Sequence, residues 1–573
     1  MSKAKSERSV RGYQAASLLL LALFLADRLL LIFGQPDLLH DLDPGELKHM
    51  QLALGGLPNQ GGWVDGIKTW VSGPENVHHG GFPTVSVLFA LLSKAFGETL
   101  QTLRLIPISA ALAAAALIAV WLRRRGGDIP SLLALALLLG APLLFLKWTC
   151  VARGGHTEAL LFAPLLLVLL ERALRSSKPT AWLLAGGSAG FAVYFSYLTI
   201  PLVLVLSVGA LSEAAIIHKR RLLSVAVPLA VGGLLGFSPW LFGWLVLDVP
   251  YFDATIHASA NPDEAAEVAR RGFLGGLQGA FTGLPHNLWP WTFTELHSPA
   301  YLTEPTDLLP FTPNPLDWLS RGLISLCGLL ALGAALARRS PLTAALALLP
   351  ALHYLFVVRL ANPGAWPDIP HRYLVVVFPI VVANAALGAS WLLAMKSPGL
   401  RTLGRVLIGS LLVLAGVGLS SHSRWWQAPD TEALASWDVA GYREQGLGQV
   451  RLSDAEPLGV LRSGFNGPLA GAQLRGVSRI YPALSDYYLL WRAPSKRAAP
   501  YPDKLFGEHD PGTPDGEREA VVEGAYAATV IRSGGDEAQL NRWLCSWRPG
   551  PQFNDAVAAV LQKQRPGLPC VVP

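Results

Sequence analysis

Ser17–Gly34 reads "SLLLLALFLADRLLLIFG", and the architecture of the protein turns on how this run is taken. It follows a basic N-terminus, "MSKAKSERSVRGYQ", as the core of a signal peptide would. Its apolar length of about 17 residues exceeds the 7–15 of a cleavable leader, and no small-x-small site follows, so it reads as a retained membrane span. Runs of similar length recur along roughly the first 420 positions, each enough to cross a hydrocarbon layer of about 30 Å at 1.5 Å per residue. Composition agrees. Of 573 residues, 51% are hydrophobic and 15% charged, where a soluble protein carries about 25% charged residues. Mean hydropathy is +0.38.

The net charge of +6 and a pI near 9.1 do not point to nucleic acid, because the basic residues gather in short loops. These clusters are Lys3–Arg11, Arg123–Arg125, Arg172–Lys178, Lys219–Arg221, Arg338–Arg339 and Lys396–Arg401. Basic loops stay in the cytoplasm. Threading the chain on that rule gives about eleven spans: 16–33, 102–122, 130–147, 158–174, 181–197, 200–217, 222–245, 319–337, 341–357, 373–394 and 403–420. The N-terminus is then cytoplasmic and the C-terminus outside.

The expected fold is mainly α: a polytopic helix bundle over 1–420, with outer loops at 34–101 and 248–318. A separate outward domain follows at 421–573. That tail is polar, rich in Gly and Pro, and has no span-length run. "GVSRIYPAL" and "AYAATVIRS" read as strands and "DEAQLNRWL" as a helix, a small α+β domain. Of four cysteines, Cys545 and Cys570 share this tail, where a disulfide can persist. Spacing alone does not pair them.

Just beyond the first span lies "HDLDPGELKH", His40–His49, with carboxylates Asp41, Asp43 and Glu46. Asp43 as N-cap, Pro44 at the first helical position and Glu46 at the third make a capping box. "LKHMQLALGG" then continues as a helix and stops at Gly55-Gly56. A cap uses one or two of these acids and leaves Asp41 over. A carboxylate cluster just outside the bilayer can also deprotonate an acceptor hydroxyl or hold a divalent cation against a phosphate. The two readings coexist.

The layout resembles membrane glycosyltransferases of the GT-C fold, in the branch of protein O-mannosyltransferases and aminoarabinose transferases. Four blocks carry the likeness over roughly residues 10–420. The first is "DPGELKHMQLALGGLP", 43–58. Next comes a Gly/Pro-containing segment and amphipathic helix, "HHGGFPTVSVLFALLSKAFGETLQTLRLIPISAAL", 78–112. Then follow "PLLFLKWTCVARGGHTEALLF", 142–162, and "HRYLVVVFPIVVANAAL", 371–387. The family's first acidic pair is Asp-Glu; here it is Gly45-Glu46, with Asp43 or Asp41 as the nearest substitutes.

The resemblance implies transfer of a sugar from a polyprenyl-phosphate donor to an envelope lipid, glycan or protein acceptor at the outer face. A carboxylate must activate the acceptor: Glu46, then Asp43, then Asp41. Glu158, at the outer start of a span, is a second acid candidate; a first-turn carboxylate favoured by the helix dipole is its structural reading. Cations must stabilise the departing phosphate: Arg153, Arg372 and Lys147, all at outer span ends. Lys147 could instead snorkel to headgroups and Arg372 anchor the interface beside Tyr373. Gly154-Gly155 would let backbone N–H groups approach a phosphate. A divalent metal, if bound, falls to Glu46 and His49, three residues apart on one helix face. The expected partners are the lipid-linked donor, the acceptor and the bilayer.

Asp27-Arg28 lies inside the first span; Arg28 is expected to snorkel, since adjacent helix positions diverge. Asp263-Glu264 reads as a solvated helix start and "HNLWPWTF" as an interfacial belt. A multi-span transporter is the main rival, but it would carry polar chemistry at mid-span and broken repeats. An inactive GT-C relative that scaffolds envelope assembly is the other. Heavy use of Ala, Leu, Gly and Arg suggests a GC-rich bacterium, and so an inner membrane.

Overall fold

The structure, a computed structural model, describes residues 2–34, 49, 80–97, 100–176, 178–246, 315–360 and 372–426. Asp41, Asp43, Glu46, Asp263, Glu264, most of both outer loops and the tail with Cys545 and Cys570 lie outside the described residues.

The described residues are helical, with no strand among them. In chain order they form α1 (Ser2–Leu29, prolonged by a π turn Leu30–Gly34), α2 (Gly81–Phe96), α3 (Leu100–Gly126), α4 (Asp128–Leu139), α5 (Leu143–Trp148) and α6 (Phe162–Arg175). Then follow α7 (Pro179–Phe195), α8 (Ile200–Ile216), α9 (Leu222–Leu245), α10 (Pro315–Ala337), α11 (Pro341–Leu360), α12 (Arg372–Val375), α13 (Phe378–Leu393) and α14 (Pro398–Trp426). Each expected span falls on helix, two of them broken: 130–147 at Gly140–Pro142 and 373–394 at Val376-Val377. Six stretches among the described residues are long and apolar enough to cross a membrane by length and composition.

Local rules explain the boundaries. The amphipathic helix expected late in the first outer loop is α2, and Gly97 at φ +86° ends it before α3 begins. Three arginines close α3, where cations complement the helix dipole. Proline opens α7, α8 and α13, where its missing N–H costs nothing.

Helix α13, buried along most of its length, packs against α3, α4, α10, α11 and α14 and forms the centre of the bundle. Glycines let backbones touch. A methyl at Gly388 of α13 would collide with the Cys327 carbonyl of α10. In the α7–α9 pair, methyls at Gly186, Gly190, Gly232 and Gly236 would each strike a backbone carbonyl of the partner helix. Small residues at such seams substitute for a hydrophobic driving force that lipid does not supply. The far side of α9 exposes Leu223, Val227, Leu234 and Leu245, an apolar face suited to lipid.

One expectation is overturned. Arg28 does not snorkel. Its Nη1 lies 2.7 Å from Asp27 Oδ2, with both side chains buried. Adjacent positions do diverge on a helix, but the guanidinium arm curls back over Phe24, 3.6 Å from the ring centroid, and reaches its neighbour. Inside a bundle, an unpaired charge costs more than the bent geometry.

Candidate active site

Helix α5 ends in Lys147 and Trp148, and the strap "TCVARGGHT" (Thr149–Thr157) leads from it to a 3-10 turn at Glu158–Leu161 and on to α6. Lys147 Nζ lies 5.3 Å from the Trp148 ring centroid and Arg153 Cζ lies 5.0 Å from it. Both are within cation–π reach. One indole therefore gathers two cations, one from the end of α5 and one from within the strap. Lys147 is 3% exposed, so it is enclosed by protein and does not reach outward as a snorkelling lysine would.

The strap turns at Gly154, φ +60°, a left-handed conformation that a side chain would strain. Space is also lacking. A methyl on Gly154 would stand 2.8 Å from His49 Cε1 and 2.9 Å from Phe82 Cα. A methyl on Gly81 would collide with the Gly155 backbone. The N-terminus of α2 thus lies directly on the Gly-Gly turn. It is held there from α7, since Gly80 N–H donates to the Tyr194 carbonyl at 2.7 Å.

His49 is the described residue of the acidic stretch, three positions after Glu46 in the sequence. Its ring stacks on Phe82 at 3.9 Å and 19°, and Nδ1 sits 3.2 Å from the Phe82 carbonyl and 3.1 Å from Ser86 Oγ. His49 and the strap, read separately in the sequence, therefore meet at Gly154. A metal on this histidine would have to use Nε2, with Nδ1 fixed by the carbonyl, an arrangement common among metal-bound imidazoles. Among the described residues, no group of three or more His, Cys, Asp or Glu side chains could hold a metal ion.

Glu158 opens the 3-10 turn and is 4% exposed, next to buried Thr157. It is an interior carboxylate, not a surface one. Of Arg372, the backbone alone belongs to the described residues; it opens α12. The next residue, Tyr373, packs its ring 5.1 Å from His156 of the strap. Its carbonyl accepts from His353 Nε2 of α11 at 2.9 Å. His353 was not among the sequence candidates. A lone histidine in an apolar run gives no sign that its partner is a carbonyl twenty residues on.

The structure thus brings Lys147, Arg153, Glu158, His49 and the root of Arg372 to one end of the bundle. Asp41, Asp43 and Glu46 themselves lie outside the described residues.

Residues 78–244 match the model of the dolichyl-phosphate-mannose-protein mannosyltransferase family. The matched segment runs from the start of α2 to the end of α9 and contains the whole strap; it supports the membrane-glycosyltransferase resemblance seen in the sequence. The comparison with curated proteins gives no match. Among solved structures, the Archaeoglobus fulgidus oligosaccharyltransferase in its apo form is similar over 76% of this chain and 60% of its own, at 13% identity and a TM-score of 0.43. The same oligosaccharyltransferase in complex with zinc and sulfate is similar over 75% and 57%, at 14% identity and a TM-score of 0.42. The chain therefore spans less than two thirds of the length of that protein.

Proposed function

We propose that the protein is a membrane glycosyltransferase that moves a sugar from a polyprenyl-phosphate donor to an envelope lipid, glycan or protein acceptor. The reading places this at the periplasmic face of a bacterial inner membrane, with the N-terminus cytoplasmic and residues 421–573 forming a periplasmic domain. The observation that carries it is the meeting of a cation pair, Lys147 and Arg153, with a glycine turn and with His49, inside the segment that matches the family model or against it.

In this reading Arg153 and Lys147, joined by Arg372, hold the donor phosphate, and N–H groups around Gly154-Gly155 add to that cradle. Glu46 takes the proton of the acceptor hydroxyl, with Asp43 or Asp41 in support of an acidic pair that lacks its usual aspartate. The acceptor oxygen attacks the anomeric carbon, the carbon–phosphate oxygen bond breaks, and the electron pair leaves on the lipid phosphate. Direct displacement inverts the anomeric centre. Glu158, enclosed beside the strap, tempers the local positive charge and is the second acid candidate.

The test is transfer from prenyl-phosphate sugars by the purified full chain in lipid. Glu46→Gln is expected to lower kcat by about 10²–10⁴, the range for a general base. Arg153→Ala should lower it by about 10²–10³. Full activity in Glu46→Gln and Asp43→Asn together removes the base assignment. Absence of transfer from every lipid-phosphate sugar removes the donor.

A further inference from the structure

We propose that Asp27, Arg28 and His422 form a positioning unit that holds helix α5 at both ends, and through it sets Lys147 and Arg153. The break between α4 and α5 creates the need. Pro142 has no N–H, so the Leu138 carbonyl one turn back loses its helical donor. The Ala141 carbonyl also falls outside α5, whose first bond runs from Leu146 N to the Pro142 carbonyl at 3.0 Å. Two buried carbonyls require donors from elsewhere.

They receive them from the first and last described helices. Arg28 Nη2 of α1 donates to the Leu138 carbonyl at 3.4 Å. His422 Nε2 of α14 donates to the Ala141 carbonyl at 2.7 Å. Helix α14 can come this close because a glycine stands on each side: a methyl at Gly140 would strike the Ala415 carbonyl, and one at Gly418 the Gly140 carbonyl. His422 is one turn beyond Gly418.

The other end of α5 is held by the same arginine. Arg28 Nε donates to Thr149 Oγ1 at 3.4 Å, and Thr149 caps α5 by donating to the Leu146 carbonyl at 2.9 Å. Asp27 binds the unit together: its Oδ2 lies 2.7 Å from Arg28 Nη1 and 3.1 Å from His422 Nδ1. All three side chains are at most 2% exposed. A six-residue helix does not persist alone, and here both its ends are tied to α1 and α14. These residues touch neither donor nor acceptor. They act through Lys147 at the end of α5 and through the strap that follows.

The effect on donor binding rests on the transfer reading above; the effect on α5 does not, and two measurements keep them apart. The first is hydrogen exchange of the α5 amides and Thr149 in the full chain in lipid nanodiscs. His422→Ala is expected to speed exchange there by about tenfold, the size of one lost hydrogen bond, with α13 unchanged. His422→Gln keeps a donor near the Nε2 position and should stay within about threefold of the parent. If His422→Ala does not fold, Arg28→Lys, which keeps the charge and loses the fork, carries the same expectation at Thr149. Unaltered exchange in the folded variants overturns the proposal whatever the activity.

The second is a kinetic cycle with a polyprenyl-phosphate sugar. His422→Ala should raise KM about tenfold with kcat within about twofold, and should add nothing further in a Lys147→Ala background. Loss of kcat at constant KM, or full additivity with Lys147→Ala, overturns it. If the parent transfers no sugar, the donor reading fails and the exchange result alone decides the positioning unit.

Discussion

The two ends of the helix bundle arrange their described charges around different groups. At the end expected to face the cytoplasm, Arg125 of α3 sits between two buried carboxylates. Its Nε donates to Glu171 Oε2 at 2.5 Å and its Nη2 lies 2.8 Å from Glu213 Oε1. The remaining oxygens are taken as well: Glu171 Oε1 by Arg175 at 2.8 Å, and Glu213 Oε2 by Ser340 Oγ at 2.9 Å and the Leu342 N–H at 3.0 Å. Arg220 completes the end by donating to the Ala173, Leu174 and Ser176 carbonyls at the close of α6. Acid meets base here, and the result staples α3, α6, α8 and α11 together. At the other end, Lys147 and Arg153 share an aromatic ring, and the chain beside them is two glycines in van der Waals contact with another backbone. A matched ionic knot fits a structural role. At the strap, two cations share one ring beside a glycine turn, with the buried carboxylate of Glu158 following on the same segment, and the proposed function sets an anion there.

That contrast can be broken by substitution, beginning where the effect is greatest. Arg125→Ala removes the shared cation from two buried carboxylates, leaving Glu171 with Arg175 and Glu213 with neutral donors alone among the described contacts, and should destabilise the folded protein by about 3 kcal/mol, read as a lower unfolding temperature in detergent, with transfer per folded molecule unchanged. Arg153→Ala should do the reverse, with little change in unfolding temperature and the loss of transfer given above; equal effects on both readouts would erase the distinction between the ends. Gly81→Ala presses a methyl into the Gly155 backbone and should cost about 1–3 kcal/mol as an overpacked contact, with donor affinity lost in parallel because the strap must shift. The mildest change sharpens the site end. His353→Ala removes one neutral hydrogen bond to the Tyr373 carbonyl, worth about 1 kcal/mol, and should raise donor KM about fivefold; His353→Gln, with a donor at the right reach, should recover most of it.

Much of the bundle was legible because it follows from run length: an apolar stretch of span length has helix as its only self-satisfied backbone in lipid. Basic loops at 123–125, 172–178 and 338–339 all fall at the Arg125 end, as the alternation of charge required. The strap was legible too, through Arg153 and its glycines standing where a basic loop was not expected. Other features depend on pairs far apart in the chain. Glu213 with Ser340, His422 with Asp27 and His49 with Gly154 are joined by folding alone, so no local pattern announces them. Asp27-Arg28 was misread for a different reason. The rule that neighbours diverge describes Cβ directions, and it says little of a guanidinium long enough to double back when no water is near.

The glycine seam between α7 and α9 has a mechanical implication. Where the glycines meet, backbone lies on backbone with no rotamer between, and Tyr194 and Trp240 close the same seam with Phe191 and Phe237 packed on them, so the two helices behave as one stiff blade. The Trp240 Nε1–H donating to Tyr197 Oη at 3.0 Å pins that blade at its strap-side end. The chain that leaves α9 after residue 246 therefore departs from a firm stem, and any force the middle loop applies there is passed to α7 and, through the Tyr194 carbonyl, to the α2 terminus that covers the strap.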